Sequence, residues 1–428
     1  MRIRIENIGP VNKIDLDLSK PFLIFTGLNG TGKTYVSYIV YSLSAFFLIK
    51  EDVLGWNDVL KTPSQKKTNE INYKKLFDIL KKHIDTINFY LPYIFNVDEK
   101  DELVKNARIT LLTDIDEFKN SIYISHYKFE AIGTFEFEKK GKSNKFTIKC
   151  NGGNTEEAEF VNQLIIKSLF FGSIIEDIET SDRSGLFTFN KELGRKAKDI
   201  EKNLSSGNSK INYPLPIANL LKNIGNLRER FFHDSKYGFL ADKIENVILK
   251  GHLILKDEDE VWYSNKRMKE EIPLSLTSSG VKTICSIVLF LRHTAMDCNL
   301  MIIDEPEINL HPKNQILLAR VFSMIVNSGI KLIINTHSDY IIREINNMIM
   351  LSSIKDEKKI KELGYSKDEI LESDIVSPYY FEIQKNGAGV IGKEIEVTKT
   401  GFSIDLIDQV INDQIEISQK IYEAIEGL

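Results

Sequence analysis

The chain has 428 residues, of which 42% are hydrophobic and 27% charged, as in a soluble protein of one large domain with insertions or of two to three domains. Its net charge of -5 excludes attachment to nucleic acid through overall charge, so any such contact needs a local patch. The three widely spaced cysteines favour buried thiols in a reducing cytoplasm over a disulfide framework.

The first predicted elements are strands. Residues 2–6 and 13–18 alternate between polar and apolar side chains, and NIGPVN between them supplies a turn, which predicts a hairpin. The apolar FLIFT predicts a buried strand, and residues 33–49 predict a helix. The apolar run YSLSAFFLI in that helix is too short to span a bilayer. We therefore expect a cytoplasmic protein without membrane association.

A glycine-rich loop lies between this strand and helix. The stretch FTGLNGTGKT contains the pattern G-x-x-x-x-G-K-[ST], in which backbone amides cradle a polyphosphate at the positive end of a helix. Lysine then reaches the outer phosphates and the threonine hydroxyl binds Mg²⁺. A turn that matches by chance is the alternative. The candidate nucleotide-binding residues are Gly27, Leu28, Asn29, Gly30, Thr31, Gly32, Lys33 and Thr34.

The middle of the chain differs in pattern from its ends. Residues 51–120 are lysine-rich with helical spacing and predict a helical insertion. Residues 121–189 are rich in period-two segments, with a helix over 157–171 and a strand at SIIEDIET, and 190–250 predict a second helical insertion. Residues 1–50 and 251–428 then form one discontinuous core.

A second half of a nucleotide site follows the insertions. Four apolar residues end in Asp304 and Glu305, as expected of a central parallel strand whose tip faces a ligand crevice. Asp304 is placed to hold Mg²⁺, and Glu305 to orient and deprotonate the attacking water. Solvated acids at a strand end are the alternative, which a phosphate loop in the same chain makes weak.

Downstream, KLIINTHSDYII repeats the pattern of a buried strand with polar residues at its tip. His337 there can hydrogen-bond the γ-phosphate and the water. The alternative is a THSD turn that caps a helix and contains an incidental histidine.

Upstream, LSLTSSGVKTICSIVLFLRHTA places Ser278, Ser279 and Gly280 at the start of an amphipathic helix. Serine at this position caps a helix. The same geometry makes the helix N-terminus an anion site. A cap and a phosphate contact therefore both stay open.

These four pieces, in this order, resemble the ATP-binding-cassette (ABC) superfamily. TSSGV stands where that superfamily carries its Leu-Ser-Gly-Gly-Gln signature, with Thr277 and Val281 as departures. IRIENIGPVNKIDLDL and DEPEINLHP resemble the SMC, RecF and OLD-type branch of AAA ATPases. The resemblance implies an α/β fold: a P-loop NTPase core of ABC type, with N-terminal antiparallel strands and a large helical and β insertion. It also implies ATP and Mg²⁺ as cofactors.

The resemblance implies partners as well. ETSDRSGLF is similar to a Pro-x-Glu-Arg-Ser segment of OLD-like proteins, although the proline is absent, and makes Arg183 a candidate for contact with the nucleotide or a dimer partner. In this superfamily the signature helix caps the nucleotide of a second chain, which implies a homodimer or a higher homo-oligomer. OLD nucleases continue into a Toprim domain, but the 91 residues after His337 contain no acidic D-x-D cluster.

Three functions follow from these features. The leading hypothesis is a sensor or regulatory ATPase of a bacterial anti-phage system, similar to Septu, Gabija-like or PARIS modules, with a separate nuclease or toxin as effector. The second is a RecF-like DNA-repair ATPase, in which KKTNEINYKK, KKGKSNK and GRKAK contact DNA; solvated lysine-rich faces are the alternative reading of these stretches. A transporter cassette is the third, but its compactness is at odds with the long insertions.

Overall fold

The computed structural model describes residues 1–45, 68–121, 127–129, 133–139, 145–151, 176–189, 213–225, 227, 234–256, 260–265, 267, 270–296, 299–385 and 387–426. The strands are β1 (Arg2–Ile8), β2 (Val11–Asp17), β3 (Phe22–Gly27), β4 (Thr68–Asn72), β5 (Arg108–Leu111), β6 (Tyr127–Phe129), β7 (Gly133–Lys139), β8 (Lys145–Asn151), β9 (Glu176–Glu179), β10 (His252–Lys256), β11 (Glu260–Ser264), β12 (Ile272–Pro273), β13 (Leu300–Asp304), β14 (Lys331–Asn335), β15 (Val376–Ile383) and β16 (Val390–Glu394).

The α-helices are α1 (Lys33–Ala45), α2 (Tyr73–Phe95), α3 (Ile115–Ser121), α4 (Arg183–Thr188), α5 (Leu215–Gly225), α6 (Gly238–Ile244), α7 (Ser279–Leu289), α8 (Pro312–Asn327), α9 (Asp339–Leu351), α10 (Glu357–Glu362) and α11 (Asp405–Glu426). The π-helical turns Glu245–Leu249 and Phe290–Thr294 continue α6 and α7, and 3₁₀ turns cover Leu274–Leu276, Lys367–Glu369 and Ser373–Ile375.

The main sheet has nine strands in the order β5-β1-β2-β16-β15-β3-β14-β13-β9. The five strands from β15 to β9 are parallel to one another, whereas β1 is antiparallel to both β2 and β5. Two smaller antiparallel sheets have the orders β10-β11-β12 and β4-β8-β7-β6. The predicted α/β P-loop NTPase core with N-terminal antiparallel strands is confirmed.

Strand β3 lies at the centre of the fold and is buried on both faces. Leu23 and Phe25 belong to the apolar cluster that includes helices α1 and α2. Phe22 and Ile24 belong to a second cluster, with helices α6 to α9. A strand covered on both faces reads as a continuous apolar run, which is why the sequence already predicted it as buried.

The predicted N-terminal hairpin is confirmed, and a strand that was not predicted from the sequence pairs with its first strand. The helical pattern predicted over residues 51–120 is wrong over Thr68–Asn72 and Arg108–Leu111, which form strands β4 and β5. Strand β5 pairs with β1. Asn88 on α2 stabilises this edge, because its amide nitrogen donates to the Ile109 carbonyl (2.8 Å) and its carbonyl accepts from the Ile109 amide (2.7 Å). Because β1 and β5 are far apart in the sequence, no local pattern of residues predicts their pairing.

Other predicted elements agree where they are described. SIIEDIET contains strand β9, and helices α5 and α6 lie in the described parts of 190–250. The helix predicted over 157–171 and the stretch GRKAK lie outside the described residues. The division into core and insertions stays a prediction. In the portion of the chain that the structure describes, no helix combines the length and apolar character needed to cross a bilayer.

Candidate active site

The glycine-rich loop connects the end of β3 to the start of α1, and its backbone needs glycine. Gly27 and Gly32 have φ angles of +141° and +91°, a region that other residues rarely adopt. A Cβ atom on Gly27 would come within 2.7 Å of the Phe381 carbonyl oxygen, and one on Gly32 within 2.5 Å of Val11 Cγ2. The hairpin β1–β2 and strand β15 therefore hold the loop closely from either side.

The loop exposes its tip and buries its lysine. Leu28, Asn29 and Gly30 are exposed, whereas Thr31 is buried and donates through its hydroxyl to the Leu28 carbonyl (2.7 Å). Lys33 is 6% exposed.

The Lys33 ammonium lies inside the turn of the loop. Its Nζ donates to the carbonyls of Leu28 (2.9 Å) and Gly27 (3.2 Å). Burial lowers the pKa of Lys33 to about 8, although Asp304, Glu305 and Glu307 oppose this shift. The loop thus holds a cation inside its turn, as binding of the outer phosphates of a nucleotide requires.

The acidic tip of β13 meets this loop at one edge of the sheet. Thr34 Oγ1 donates to Asp304 Oδ2 (2.9 Å), and Asn335 Nδ2 donates to Asp304 Oδ1 (2.9 Å). Burial raises the pKa of Asp304, while these two hydrogen bonds lower it. A carboxylate and a hydroxyl side by side supply the oxygen ligands that Mg²⁺ prefers, so the residues present fit this ion.

Asn335 was not predicted from the sequence. It ends strand β14, is fully buried, and accepts a hydrogen bond from Ser37 of helix α1 (2.9 Å). It therefore orients the Asp304 carboxylate from the neighbouring strand. The available signal was a polar residue at the end of an apolar run, directly before Thr336.

Glu305 has an unusual backbone. It is half-buried, and its φ of +48° puts it in the left-handed region although a proline follows. Both bulky side chains and residues before proline avoid this conformation. Its amide donates to the Asn335 carbonyl (2.9 Å). This geometry turns the chain away from the strand directly after Asp304.

His337 lies at the tip of β14 and is anchored by Glu307, a second residue that the sequence analysis missed. Glu307 Oε1 accepts from the His337 amide (2.6 Å), and Oε2 accepts from the Thr336 hydroxyl (2.9 Å). Burial, and then the charge of Lys33, lowers the pKa of the His337 imidazole. Both effects favour the neutral form of the ring. The repeated acid in DEPE was the signal for Glu307.

The predicted signature segment begins helix α7. Ser278 is the N-cap, and its hydroxyl accepts from the Val281 amide (3.4 Å). Ser278 and Ser279 are nevertheless exposed. A Cβ on Gly280 would lie 3.1 Å from the Asn309 carbonyl oxygen. The helix N-terminus is thus capped and open to solvent. It lies against the segment that follows β13.

Arg183 is fully buried, and its guanidinium donates to carbonyl oxygens of Thr180, Thr283, Asp304 and Glu305. In this structure its side chain lies beneath the site rather than on a surface. These contacts support a role in which Arg183 holds the backbone of the site. A fully buried side chain does not offer the predicted direct contact with a nucleotide or a partner.

The family model of the AAA ATPase domain matches residues 1–342. The chain matches none of the curated proteins with which it was compared.

Several solved structures are similar over most of their length. One is the SmcHead bound to the C-winged helix domain of ScpA, with 11% identity, a TM-score of 0.39, and coverage of 93% of this chain and 98% of that one. A second is the Smc head domain with an extended coiled coil bound to the C-terminal domain of ScpA, from Pyrococcus furiosus. It has 10% identity and a TM-score of 0.36, and the match covers 97% of this chain and 98% of that one. A third is the SMC head domain from Thermotoga maritima, with 10% identity, a TM-score of 0.34, and coverage of 92% of this chain and 98% of that one.

Proposed function

Since the chain belongs to the AAA ATPase domain family and is an ATP-hydrolysing enzyme, we propose that it binds and hydrolyses Mg·ATP in composite sites shared by two copies of the chain. The observation that carries this proposal is the hydrogen bond from Thr34 to Asp304. It joins the phosphate loop to the acidic strand tip, and the open end of helix α7 borders the same edge of the sheet.

The residues divide the chemistry among them. The loop amides and the Lys33 ammonium bind the polyphosphate. Thr34 and Asp304 would hold Mg²⁺, which when bound neutralises charge on the outer phosphates. Glu305 orients the attacking water and accepts its proton. The neutral imidazole of His337 donates a hydrogen bond toward the γ-phosphate.

The position of helix α7 supports sharing of the site. Helix α7 leads into β13, and β13 is separated from β3 by β14. Neighbouring strands lie about 4.8 Å apart, so roughly 10 Å separate β13 from the strand that carries the phosphate loop. Ser278, at the start of this helix, is exposed to solvent. A second chain, related by a two-fold axis, can bring its own Ser278 to the γ-phosphate.

We further propose that the ATPase serves as the sensor or regulatory subunit of a bacterial anti-phage complex, with a separate nuclease or toxin as effector. The resemblance of DEPEINLHP and the N-terminal hairpin to OLD-like ATPases supports this role. ATP-driven closure of a dimer would then be the event that the effector reads, because ATP has a γ-phosphate for Ser278 to bind and ADP does not.

Two experiments test these proposals. Light scattering of Glu305→Gln should show a dimer with Mg·ATP but not with Mg·ADP, and an unchanged mass would contradict the shared site. Cells carrying the chain with the product of its neighbouring gene should resist phage, whereas Lys33→Ala cells should not. ATPase activity stimulated by DNA ends, together with sensitivity of deletion cells to DNA damage and no phage protection, would instead establish the DNA-repair role.

A further inference from the structure

The Arg183 guanidinium links two parts of the site that are far apart in sequence. Nε donates to the Thr283 carbonyl on helix α7 (3.0 Å). Nη1 donates to the carbonyls of Thr180 (2.9 Å) and Asp304 (2.7 Å), and Nη2 to that of Glu305 (3.0 Å). The side chain therefore binds the tip of β13 and the signature helix at the same time.

These contacts are ones that only arginine can make. A buried guanidinium loses hydration, and this cost is offset only when its N–H groups find acceptors. The planar fork fixes the direction of several donors at once, whereas a lysine ammonium presents a single point. In the described part of the chain its side-chain hydrogen bonds all go to backbone carbonyls. The guanidinium thus orients peptide groups.

The peptide groups that it orients include the strained one. Glu305 has a φ of +48° and precedes Pro306, a conformation that a residue other than glycine keeps only where the surroundings hold it. Arg183 donates to the Asp304 and Glu305 carbonyls, and the Glu305 amide donates to the Asn335 carbonyl. These hydrogen bonds hold the backbone on both sides of the Glu305 Cα. The direction of the Glu305 side chain depends on this backbone.

A second bond strengthens the same link. Asn309 Nδ2 donates to the Thr283 hydroxyl (3.2 Å), so the segment after β13 binds helix α7 through a side chain as well. Asn309 is exposed and has a φ of +60°. Glycine adopts that conformation readily, so Asn309→Gly removes the bond without straining the turn.

We propose that Arg183 is a positioning residue that couples Glu305 of its own chain to helix α7, whose Ser278 serves the site of the other chain. This coupling rests on the proposed shared site. A shift of helix α7 when Ser278 binds the partner's γ-phosphate is transmitted through the Thr283 carbonyl to the backbone of Glu305. Engagement of one site therefore speeds hydrolysis at the other without being required for it.

Arg183→Lys tests the positioning role. The variant should keep the wild-type Kd for ATP but lose kcat by on the order of 100-fold, as expected when a catalytic group shifts by about 1 Å. Arg320→Lys is the matched control, because Arg320 also binds a backbone carbonyl (Gly364) and an acid (Glu344), but on helix α8. It should lower the melting temperature and leave kcat unchanged.

The result that overturns the proposal is an Arg183→Lys enzyme with wild-type kcat, or one whose loss of kcat is matched by its losses of ATP affinity and thermal stability. If Arg183→Lys does not fold, Asn309→Gly decides. A lower kcat at unchanged Kd supports the coupling, and an unchanged kcat overturns it.

Mixed dimers test the coupling across chains. In a heterodimer with a Lys33→Ala chain, the Arg183→Lys chain supplies Lys33 and Glu305 to the one intact site. In a heterodimer with a Ser278→Arg chain, the Arg183→Lys chain supplies only helix α7 to the one intact site. Both mixtures should be less active than a mixture of Lys33→Ala with Ser278→Arg. Full activity in the second mixture would overturn the coupling. Absence of activity in the reference mixture, while Arg183→Lys still loses kcat at unchanged Kd, would sink the shared site and leave the Arg183–Glu305 contact standing.

Discussion

The hydroxyl of Thr34 donates a hydrogen bond of 2.9 Å to Oδ2 of Asp304, although 270 positions separate the two residues. The contact exists because β3 and β13 run parallel in one sheet, with only β14 between them. Their carboxyl ends therefore meet at one edge. This juxtaposition brings the loop that we propose binds phosphate to the acid that we propose holds Mg²⁺.

Replacement of Lys33 by alanine removes the cation inside the loop. A charge-assisted hydrogen bond contributes about 1.5–3 kcal/mol, so the Kd of Lys33→Ala for ATP should rise roughly 10- to 100-fold. Isothermal titration with Mg·ATP measures this. Wild-type affinity in the variant would show that Lys33 does not contact the phosphates.

Affinity for ATP should also depend on pH through Lys33. Its pKa is lowered to about 8, so the charge that attracts the polyphosphate is present below this pH and lost above it. The second ionisation of a phosphate ester has a pKa of about 6. The charge of the nucleotide is therefore constant over this range. The Kd should then rise by up to about tenfold per pH unit above pH 8. Lys33→Ala, which lacks the titrating group, should show no such rise.

Glu305→Gln keeps the size of the side chain but cannot accept the proton of the attacking water. ATP binding should stay at the wild-type level while kcat falls by about 10²- to 10⁴-fold. Single-turnover kinetics separates the two quantities. Turnover at the wild-type rate would mean that another residue is the base.

Glu307→Gln replaces one of the two oxygens that anchor Thr336 and His337 by an amide donor. His337 should lose its fixed position, so kcat should fall while the Kd for ADP, which lacks the γ-phosphate, stays unchanged. Glu344→Gln, which alters an acid paired with Arg320, serves as the control for general loss of stability. Equal kcat in Glu307→Gln and wild type would show that His337 needs no anchor for catalysis.

The sequence predicted those parts of the site whose cause is local. Strand β3, the loop and helix α1 are contiguous, and each has its own pattern of apolar residues or glycines. The approach of Asp304 to Thr34 followed from one rule about parallel strands. The role of Arg183 was out of reach, because backbone carbonyls as partners leave no mark in a sequence. Asn335 and Glu307 were missed for a related reason: each orients another residue, and only the fold shows which one.

The central claim is that each site takes Lys33 and Glu305 from one chain and Ser278 from the other. Lys33→Ala and Ser278→Arg homodimers should each be inactive, whereas a heterodimer of the two has one site with both lesions and one site with none. ATPase activity should therefore reappear when the two inactive proteins are mixed and allowed to exchange chains. Heterodimers that form, as shown by two differently tagged chains in one complex, but hydrolyse no ATP would contradict the claim.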